Sequence, residues 1–138
     1  MYFHLRNRLK QKPFIKTRVF NKLSLAPHRK GLVLRVVIIT PKKPNSALRH
    51  VAKVTIYKNI KRIFGRIPGI GYLPVKFNRV LVRGGRANDL PSVRLTLVRN
   101  IYDFSPLSMR KRRRSIYGVS RPSGFTKHKR RRYRHLHM

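Results

Sequence analysis

Residues 32–58 read LVLRVVIITPKKPNSALRHVAKVTIYK and contain two candidate strands separated by one short loop. The first run, Leu32–Ile39, is rich in β-branched residues, which favour extended strands. The second run, Leu48–Lys58, alternates between apolar and polar residues, as a half-buried strand does. Its inward face is predicted to carry Leu48, His50, Ala52, Val54 and Ile56. The pattern therefore predicts two strands, the second with one apolar and one largely basic face.

The loop between the two runs is predicted to be stiff. Pro41 and Pro44 each fix their own φ and push the preceding residue toward extended conformations, so this segment cannot be helical. Short polar side chains after the second proline can bond their own backbone or a partner. We expect a rigid loop that presents Lys42, Lys43, Asn45 and Ser46 at a fixed place.

Three further runs are typical of short strands. They are Ile60–Ile67, which is weakened by Gly65, then Val80–Val82, and Val93–Val98, which shows the clearest alternation. A turn at Lys58–Asn59 is expected to join the second and third strands. Five short strands separated by turns predict an all-β domain, a small closed or nearly closed barrel over residues 31–109.

Basic extensions are predicted on both sides of this barrel. Residues 1–30 and 110–138 are rich in Lys and Arg and contain no Asp or Glu. Leu5 and Leu9 lie one helical turn apart, which allows a short basic helix near the start. Because the segment has little serine, we interpret it as a mature basic tail rather than a transit peptide.

The second extension combines dense charge with aromatic residues. Its blocks at 112–114 and 129–132 repel themselves and stay extended unless an anion neutralises them. Tyr117, Phe125 and Tyr133 lie among these charges. Such rings either stack on nucleic-acid bases or act as local hydrophobic anchors, and the sequence favours neither role.

The charge balance indicates the class of partner. The chain of 138 residues has 36 Lys and Arg but 2 Asp and Glu, for a formal net charge of +34. A chain this basic repels itself and requires a polyanion, and nucleic acid is the leading candidate because binding releases condensed counterions. An anionic membrane surface is the alternative, but no long amphipathic stretch supports it.

Most enzyme and metal chemistry is disfavoured by the same composition. There are no cysteines, which excludes disulfides and thiolate sites. The only acids are Asp89 and Asp103, which lie far apart in sequence, so neither a carboxylate pair for hydrolysis nor an oxygen-ligand metal site is expected. The six histidines are irregularly spaced and are interpreted as RNA-contacting or solvated. We therefore expect no enzymatic activity, no cofactor and no metal.

A glycine-containing loop, Arg83–Pro91, is the other candidate site. Gly84 and Gly85 allow positive φ and close approach by another backbone, while the arginines on either side, Arg83 and Arg86, offer planar forks that match phosphate oxygens. Asp89 is predicted to have a local role, pairing with a nearby arginine or accepting backbone N–H bonds. An ordinary hairpin turn with solvated arginines is the alternative. Pro68–Asn78 is a third loop with a weaker signal.

Thr40–Arg49, read as TPKKPNSALR, resembles the signature of small-subunit ribosomal protein twelve. Further segments match this family in the same order, and the resemblance covers roughly residues 24 to 122. They are Pro27–Gly31, Pro68–Gly71, Val80–Arg86, Asp89–Pro91, Val93–Arg94 and Arg114–Pro122.

The resemblance implies an OB-like five-stranded barrel at the decoding centre of the small ribosomal subunit, where it supports tRNA selection and translational accuracy. The implied partners are small-subunit rRNA, the codon–anticodon helix of mRNA and A-site tRNA, and neighbouring ribosomal proteins, with no membrane and no self-association. The loop contacts at the decoding site would come from Lys42, Lys43, Pro44, Asn45 and Ser46. A second RNA loop would comprise Arg83, Gly84, Gly85, Arg86, Asn88, Asp89 and Pro91. Contacts from the tails would come from Arg29, Lys30, Arg112, Arg113, Arg114, Tyr117 and Arg121.

The sequence departs from the family pattern at three places. Asn88 stands where many bacterial members have lysine, and Ser92 replaces a usual glycine, so that the turn must differ or tolerate a side chain. Residues 72–78 are less polar than the family pattern. Together with the loss of acids, these differences resemble an organellar member, and we expect a mitochondrial ribosome rather than a plastid or bacterial one.

Two other functions are compatible with parts of the sequence. A sequence-independent single-strand nucleic-acid binder on an OB barrel would carry stacking aromatics on its strand faces, where Tyr57 is the main candidate. A nuclease or RNA-modifying enzyme would need a general base, and the acid count argues against it.

Overall fold

The structure, a computed structural model, describes Leu23 and residues 26–57 and 62–124. Within these residues the chain forms five β-strands and a single-turn 3-10 helix, Arg114–Tyr117. The strands are β1 (His28–Ile39), β2 (Arg49–Ile56), β3 (Arg62–Arg66), β4 (Arg79–Gly84) and β5 (Leu95–Val98). We call the intervening segments loop 1 (residues 40–48), loop 2 (residues 67–78) and loop 3 (residues 85–94).

The strands close into a barrel in the order β1-β2-β3-β5-β4. Four of the five pairings are antiparallel, and β3 and β5 pair in parallel. Strand β1 closes the barrel because it pairs with β4 from His28 to Leu32 and with β2 from Gly31 to Ile39. A register shift between Val33 and Arg35 lies within this long strand, where such irregularities bend a barrel strand. The predicted all-β, five-stranded barrel is confirmed.

The interior of the barrel is filled by side chains that alternate along the strands. We call this cluster the barrel core, and its buried members are Leu23, Val33, Ala52, Val54, Ile56, Ile63, Ile67, Val80, Val82, Leu95, Leu97 and Phe104. A barrel of five strands has room for side chains alone at its centre. The inward face of β2 is predicted correctly from Ala52 to Ile56 but not before it. Leu48 and His50 are exposed because they precede the level at which the barrel interior begins.

A second apolar cluster lies outside the barrel. Val51, on the opposite face of β2 from the barrel core, is buried against Ala87, Leu90 and Val93 of loop 3. Val37 and Ile39 of β1 pack against the same group. We call it the loop 3 cluster. It covers part of a strand face that the sequence pattern predicts to be basic and exposed.

The first strand begins earlier than its apolar run predicts. It starts at His28, ahead of Leu32, and Gly31 is buried within it. A Cβ atom at Gly31 would lie 2.5 Å from Cγ1 of Val54, closer than real side chains approach. Glycine at this position therefore allows β2 to pack closely against β1.

The segment that follows β5 folds back onto loop 2. The Leu107 N–H donates to the Tyr117 carbonyl at 3.1 Å, which ties the 3-10 helix to the preceding turn. A Cβ atom at Gly69 would lie 2.5 Å from Leu107 Cδ1 and 2.9 Å from the Tyr117 ring. Residues 107–117 thus pack directly against loop 2, so this part of the basic extension is folded onto the barrel.

Several sequence predictions fall outside the described residues. They are the short helix at Leu5 and Leu9, the turn at Lys58–Asn59 and the aromatic residues Phe125 and Tyr133. Among the helices that the structure does describe, none has the length and apolar character needed to cross a membrane.

Candidate RNA interface

Loop 1 is anchored at its start and exposed beyond it. Pro41 is buried, whereas residues 42–48 are exposed. The Lys42 N–H donates to the Asp89 carbonyl of loop 3 at 2.9 Å, and the Asn45 N–H donates to the Lys42 carbonyl at 3.1 Å. The peptide bond between Lys43 and Pro44 is cis. The loop therefore has its own turn and a fixed attachment, while its lysine, asparagine and serine side chains face outward.

Loop 3 is shaped by its buried residues and by its own backbone. The Ala87 N–H donates to the Val93 carbonyl at 3.1 Å, and the Leu90 N–H donates to the Ala87 carbonyl at 3.3 Å. With Ala87, Leu90 and Val93 buried in the loop 3 cluster, Arg86, Asn88 and Pro91 are left exposed at the surface. The apolar residues thus face the barrel and the polar residues face solvent.

The paired glycines of this region have different roles. Gly84 ends β4 and pairs with Leu95. Gly85 has φ of +152°, and a Cβ atom there would lie 2.9 Å from the hydroxyl oxygen of Thr96, which donates to the Gly85 carbonyl at 3.0 Å. Positive φ and close approach are therefore required at the second glycine. Ser92, which replaces the family glycine, has φ of +66°, so the turn keeps its left-handed residue and tolerates a side chain.

Asp89 joins the two loops. Its carboxylate accepts a hydrogen bond from Arg49 Nε at 3.2 Å, and its carbonyl accepts one from the Lys42 N–H. Burial raises the pKa of the Asp89 carboxyl, but hydrogen bonds from Arg49 and the local backbone, with the charges of Arg49 and Arg66, outweigh burial and leave the pKa below its ordinary value. The predicted local role is confirmed, and the arginine partner lies 40 residues away in sequence.

A basic groove of about 530 Å³ lies beside loop 1 and was not predicted from the sequence. It runs between the start of β2, the end of β3, loop 2 and the folded-back segment. Its lining residues are Leu48, Arg49, His50, Arg66, Ile67, Gly69, Ile70, Gly71, Leu73, Arg110 and Tyr117. The cationic side chains come from three separate segments, and only the closed barrel brings them together.

Arg99 is a buried cation whose hydrogen bonds hold the backbone of loop 2. Its side chain donates to the carbonyls of Pro68 at 2.7 Å, Tyr72 at 3.0 Å and Ser105 at 3.0 Å, and its guanidinium lies 4.3 Å from the centre of the Phe104 ring. Burial lowers the pKa of the guanidinium, which remains protonated at neutral pH because an arginine pKa starts so high. No sequence pattern predicts this role, since Arg99 reads as a single arginine after an apolar strand.

The candidate residues of the two extensions lie at different places on the barrel. Arg29 Nε donates to the Leu23 carbonyl at 3.0 Å, and Lys30 follows it on β1. Arg112, Arg113 and Arg121 are exposed near the 3-10 helix, and Arg114 donates to the Ser120 carbonyl at 3.1 Å. Arg83, at the end of β4, lines a small cavity with Ser115 and Ile116 of that helix. The structure therefore brings Arg83 close to the second extension.

Tyr117 is held within the molecule. It is half-buried, packs against loop 2, and has the Arg110 guanidinium 5.1 Å from its ring centre. Of the two roles open for the tail aromatics, this contact pattern is that of a local hydrophobic anchor.

Comparison with known proteins identifies the family. The model of the family described as ribosomal protein S12/S23 matches residues 16–123. The chain belongs to this family. It is also 46% identical over 112 residues, covering 81% of this chain and 80% of the relative, to the small ribosomal subunit protein uS12m of Paramecium tetraurelia. These matches confirm the predicted family, and the relative agrees with the predicted mitochondrial branch and location.

Proposed function

We propose that this protein is a structural, non-enzymatic component of the mitochondrial small ribosomal subunit, placed at the decoding centre. In this role loop 1 contacts small-subunit rRNA and the codon–anticodon helix of mRNA and A-site tRNA. Loop 3 contacts neighbouring rRNA through Arg86 and Asn88, together with Arg83 at the end of β4. The basic extensions anchor the barrel in rRNA beside other ribosomal proteins.

The observation that carries this proposal is the junction of the two loops at Asp89. A backbone hydrogen bond from Lys42 joins loop 1 to loop 3, and an ion pair joins loop 3 to Arg49 at the start of β2, directly after loop 1. The exposed side chains of both loops face outward. A carboxylate beside rRNA would repel phosphate, so its pairing with Arg49 removes that penalty. The result is a rigid basic surface, which suits a protein that must position RNA rather than react with it.

Affinity and position come from different parts of this surface. Lysine and arginine neutralise phosphates and supply sequence-independent binding energy. The short polar side chains Asn45 and Ser46, on a loop that is anchored at its start and has its own turn, supply geometry that a flexible lysine cannot. We therefore assign the discrimination between cognate and near-cognate pairing to the loop 1 tip.

Substitutions in loop 1 test this assignment. We expect Lys43→Asn and Pro44→Leu to change the rate of near-cognate misreading, measured with a mitochondrial translation reporter, without unfolding the barrel. Lys76→Asn is the matched control, since Lys76 is an exposed lysine of loop 2 away from Asp89. Unchanged misreading in the loop 1 variants, or an equal change in the control, would contradict the decoding role.

Sedimentation tests the rival in which the chain is a free single-strand binder. We expect the full chain to cofractionate with small ribosomal subunits in sucrose gradients. Distribution away from those subunits would favour the rival.

A further inference from the structure

A second groove lies at the other end of the β1–β2 pair from loop 1. Its volume is about 250 Å³, and its lining residues are Lys30, Tyr57, Arg79 and Tyr102. Ile39 lies nine positions after Lys30 in β1, and nine steps of an extended strand span about 30 Å. The groove is therefore separate from the surface formed by loops 1 and 3, and we call it the tyrosine groove.

Two exposed rings dominate the tyrosine groove. Tyr57 is 57% exposed and Tyr102 is 45% exposed, although large aromatic side chains usually lose most of their surface on folding. The Lys30 ammonium lies 5.2 Å from the centre of the Tyr102 ring, within the range of a cation–π contact. The Tyr57 N–H donates to the Lys30 carbonyl at 3.4 Å, which holds the Tyr57 backbone beside Lys30.

Tyr102 is held in a conformation that a bulky residue rarely adopts. Its φ is +56°, at the tip of a tight turn between Ile101 and Phe104. The Asn100 N–H donates to the Phe104 carbonyl at 2.7 Å, and Phe104 is fully buried in the barrel core. A left-handed backbone is costly for such a side chain and persists where the surroundings impose it, often at ligand sites. The turn thus projects the ring outward from a rigid base.

Arg79 is fixed on the opposite side of the groove. The Asp103 carboxylate accepts from the Arg79 N–H at 2.7 Å and from its Nε at 3.4 Å, and the Asp103 N–H donates to the Arg79 carbonyl at 3.1 Å. Hydrogen bonding to Asp103 raises the pKa of Arg79, and the backbone and side chain of Arg79 lower the pKa of Asp103. Asp103 balances the charge of Arg79 but not that of Lys30, so the groove has a net positive charge.

We propose that the tyrosine groove binds one unpaired nucleotide of the rRNA, with its base against Tyr57 and Tyr102 and its phosphate at Lys30. The volume falls below the roughly 300 Å³ at which pockets for drug-sized ligands begin, so it suits a single ring system and not a helix. Aromatic faces accept any base, and lysine supplies the charge that complements phosphate. The inference rests on the proposed binding to rRNA and adds a contact distant from loops 1 and 3.

Photocrosslinking of intact small subunits tests the contact directly. We expect peptides containing Tyr57 or Tyr102 to carry a nucleotide adduct after ultraviolet irradiation, nuclease digestion and mass spectrometry. Adducts on loop 1 peptides without any on these tyrosines would overturn the groove and leave the decoding proposal standing. Absence of adducts from both regions would overturn the two proposals together. A crosslink from either tyrosine to another protein would assign the groove to a protein partner and also overturn it.

Chemical probing with matched variants gives a second measurement. In subunits carrying Tyr57→Leu with Tyr102→Leu, we expect one unpaired rRNA base to become at least about fivefold more reactive to base-modifying reagents. This factor corresponds to the loss of about 1 kcal/mol, the lower end of the free energy of stacking a base on an aromatic side chain. Tyr57→Phe with Tyr102→Phe keeps both rings and should keep the protection. Neither tyrosine belongs to the barrel core or to the loop 3 cluster, so neither pair of changes opens a cavity in those clusters.

Phe77→Leu is the control for these variants. Phe77 is 61% exposed, has positive φ as Tyr102 does, and has the Lys76 ammonium 4.7 Å from its ring centre, but it does not line the groove. It should leave the same base protected. Equal reactivity in the double leucine variant and this control would overturn the proposal.

Discussion

The barrel core and the loop 3 cluster are two apolar groups on opposite faces of the same strand. The barrel core gathers twelve buried residues, nine from the five strands and three from outside them: Leu23, Ile67 and Phe104. The loop 3 cluster joins four buried residues, and three of them belong to one loop. The first determines whether a barrel exists at all. The second determines where loop 3 lies, and through Asp89 where loop 1 lies. Fold and site therefore rest on separate groups of contacts.

The largest expected effect comes from the barrel core. Phe104→Ala should lower the free energy of unfolding by about 3–5 kcal/mol, because it removes a fully buried ring and leaves a cavity. Chemical denaturation of the full chain in about 1 M salt, where the screening length is about 3 Å, measures this with self-repulsion suppressed. Hydrogen exchange should accelerate in every strand. If hydrogen exchange becomes faster only in loop 3, the barrel core and the loop 3 cluster are not separate groups of contacts.

A smaller and more local effect is expected from the loop 3 cluster. Leu90→Ala should lower the free energy of local opening by about 2 kcal/mol, since it truncates a residue that is 4% exposed at the edge of the barrel. Hydrogen exchange should rise in residues 40–48 and 85–94 while amides of β4 and β5 change much less. If all strands exchange faster by the same factor, the cluster is part of one cooperative unit and the comparison fails.

The smallest effect is expected at the ion pair between Asp89 of loop 3 and Arg49 at the start of β2. The Asp89 pKa is depressed in the folded chain, so the charged form contributes stability above its unfolded pKa of about 3.9 and loses it as pH falls through the lower folded value. Asp89→Asn should cost at most about 1 kcal/mol at pH 7, as exposed ion pairs do. Thermal unfolding of both proteins should show this difference shrinking below about pH 4.

Asp103→Asn is the control variant, because Asp103 is the chain's other carboxylate and pairs with Arg79 of β4 rather than with Arg49. A difference between wild type and Asp89→Asn that stays constant from pH 7 to pH 2 would contradict the role of the Arg49 pair. Arg49→Gln should return the Asp89 pKa toward its ordinary value in an NMR titration.

Alternation along strands made the barrel predictable from sequence, because inward residues of β2 and β5 repeat at every second position. The same rule failed for Val51, which alternation assigns to the outward face of β2 but which is buried against loop 3. Val93 is buried as its alternation predicts, although it lies in loop 3 ahead of β5 and belongs to the loop 3 cluster. Sequence chemistry likewise predicted that Asp89 would pair locally. It could not name Arg49 as the partner, because a contact across 40 residues depends on how the strands close.

The tyrosine groove and the buried position of Arg99 could not be predicted from the sequence for a related reason. The groove combines residues of β1 and β4 with Tyr57, which directly follows β2, and with a turn after β5. These segments are adjacent only in the closed barrel. Arg99 sits in a chain full of arginines, and nothing in its type or spacing separates a buried one from its exposed neighbours. Local sequence patterns show which residues alternate along a strand. The tyrosine groove and the Arg99 site depend instead on contacts between distant segments that form when the barrel closes.

Both acidic side chains of the protein are already engaged by its own arginines, Asp89 by Arg49 and Asp103 by Arg79. With both side-chain carboxylates already paired, the protein offers no free acidic side chain to a basic partner. Any protein that touches this one directly should do so with a neutral or acidic surface.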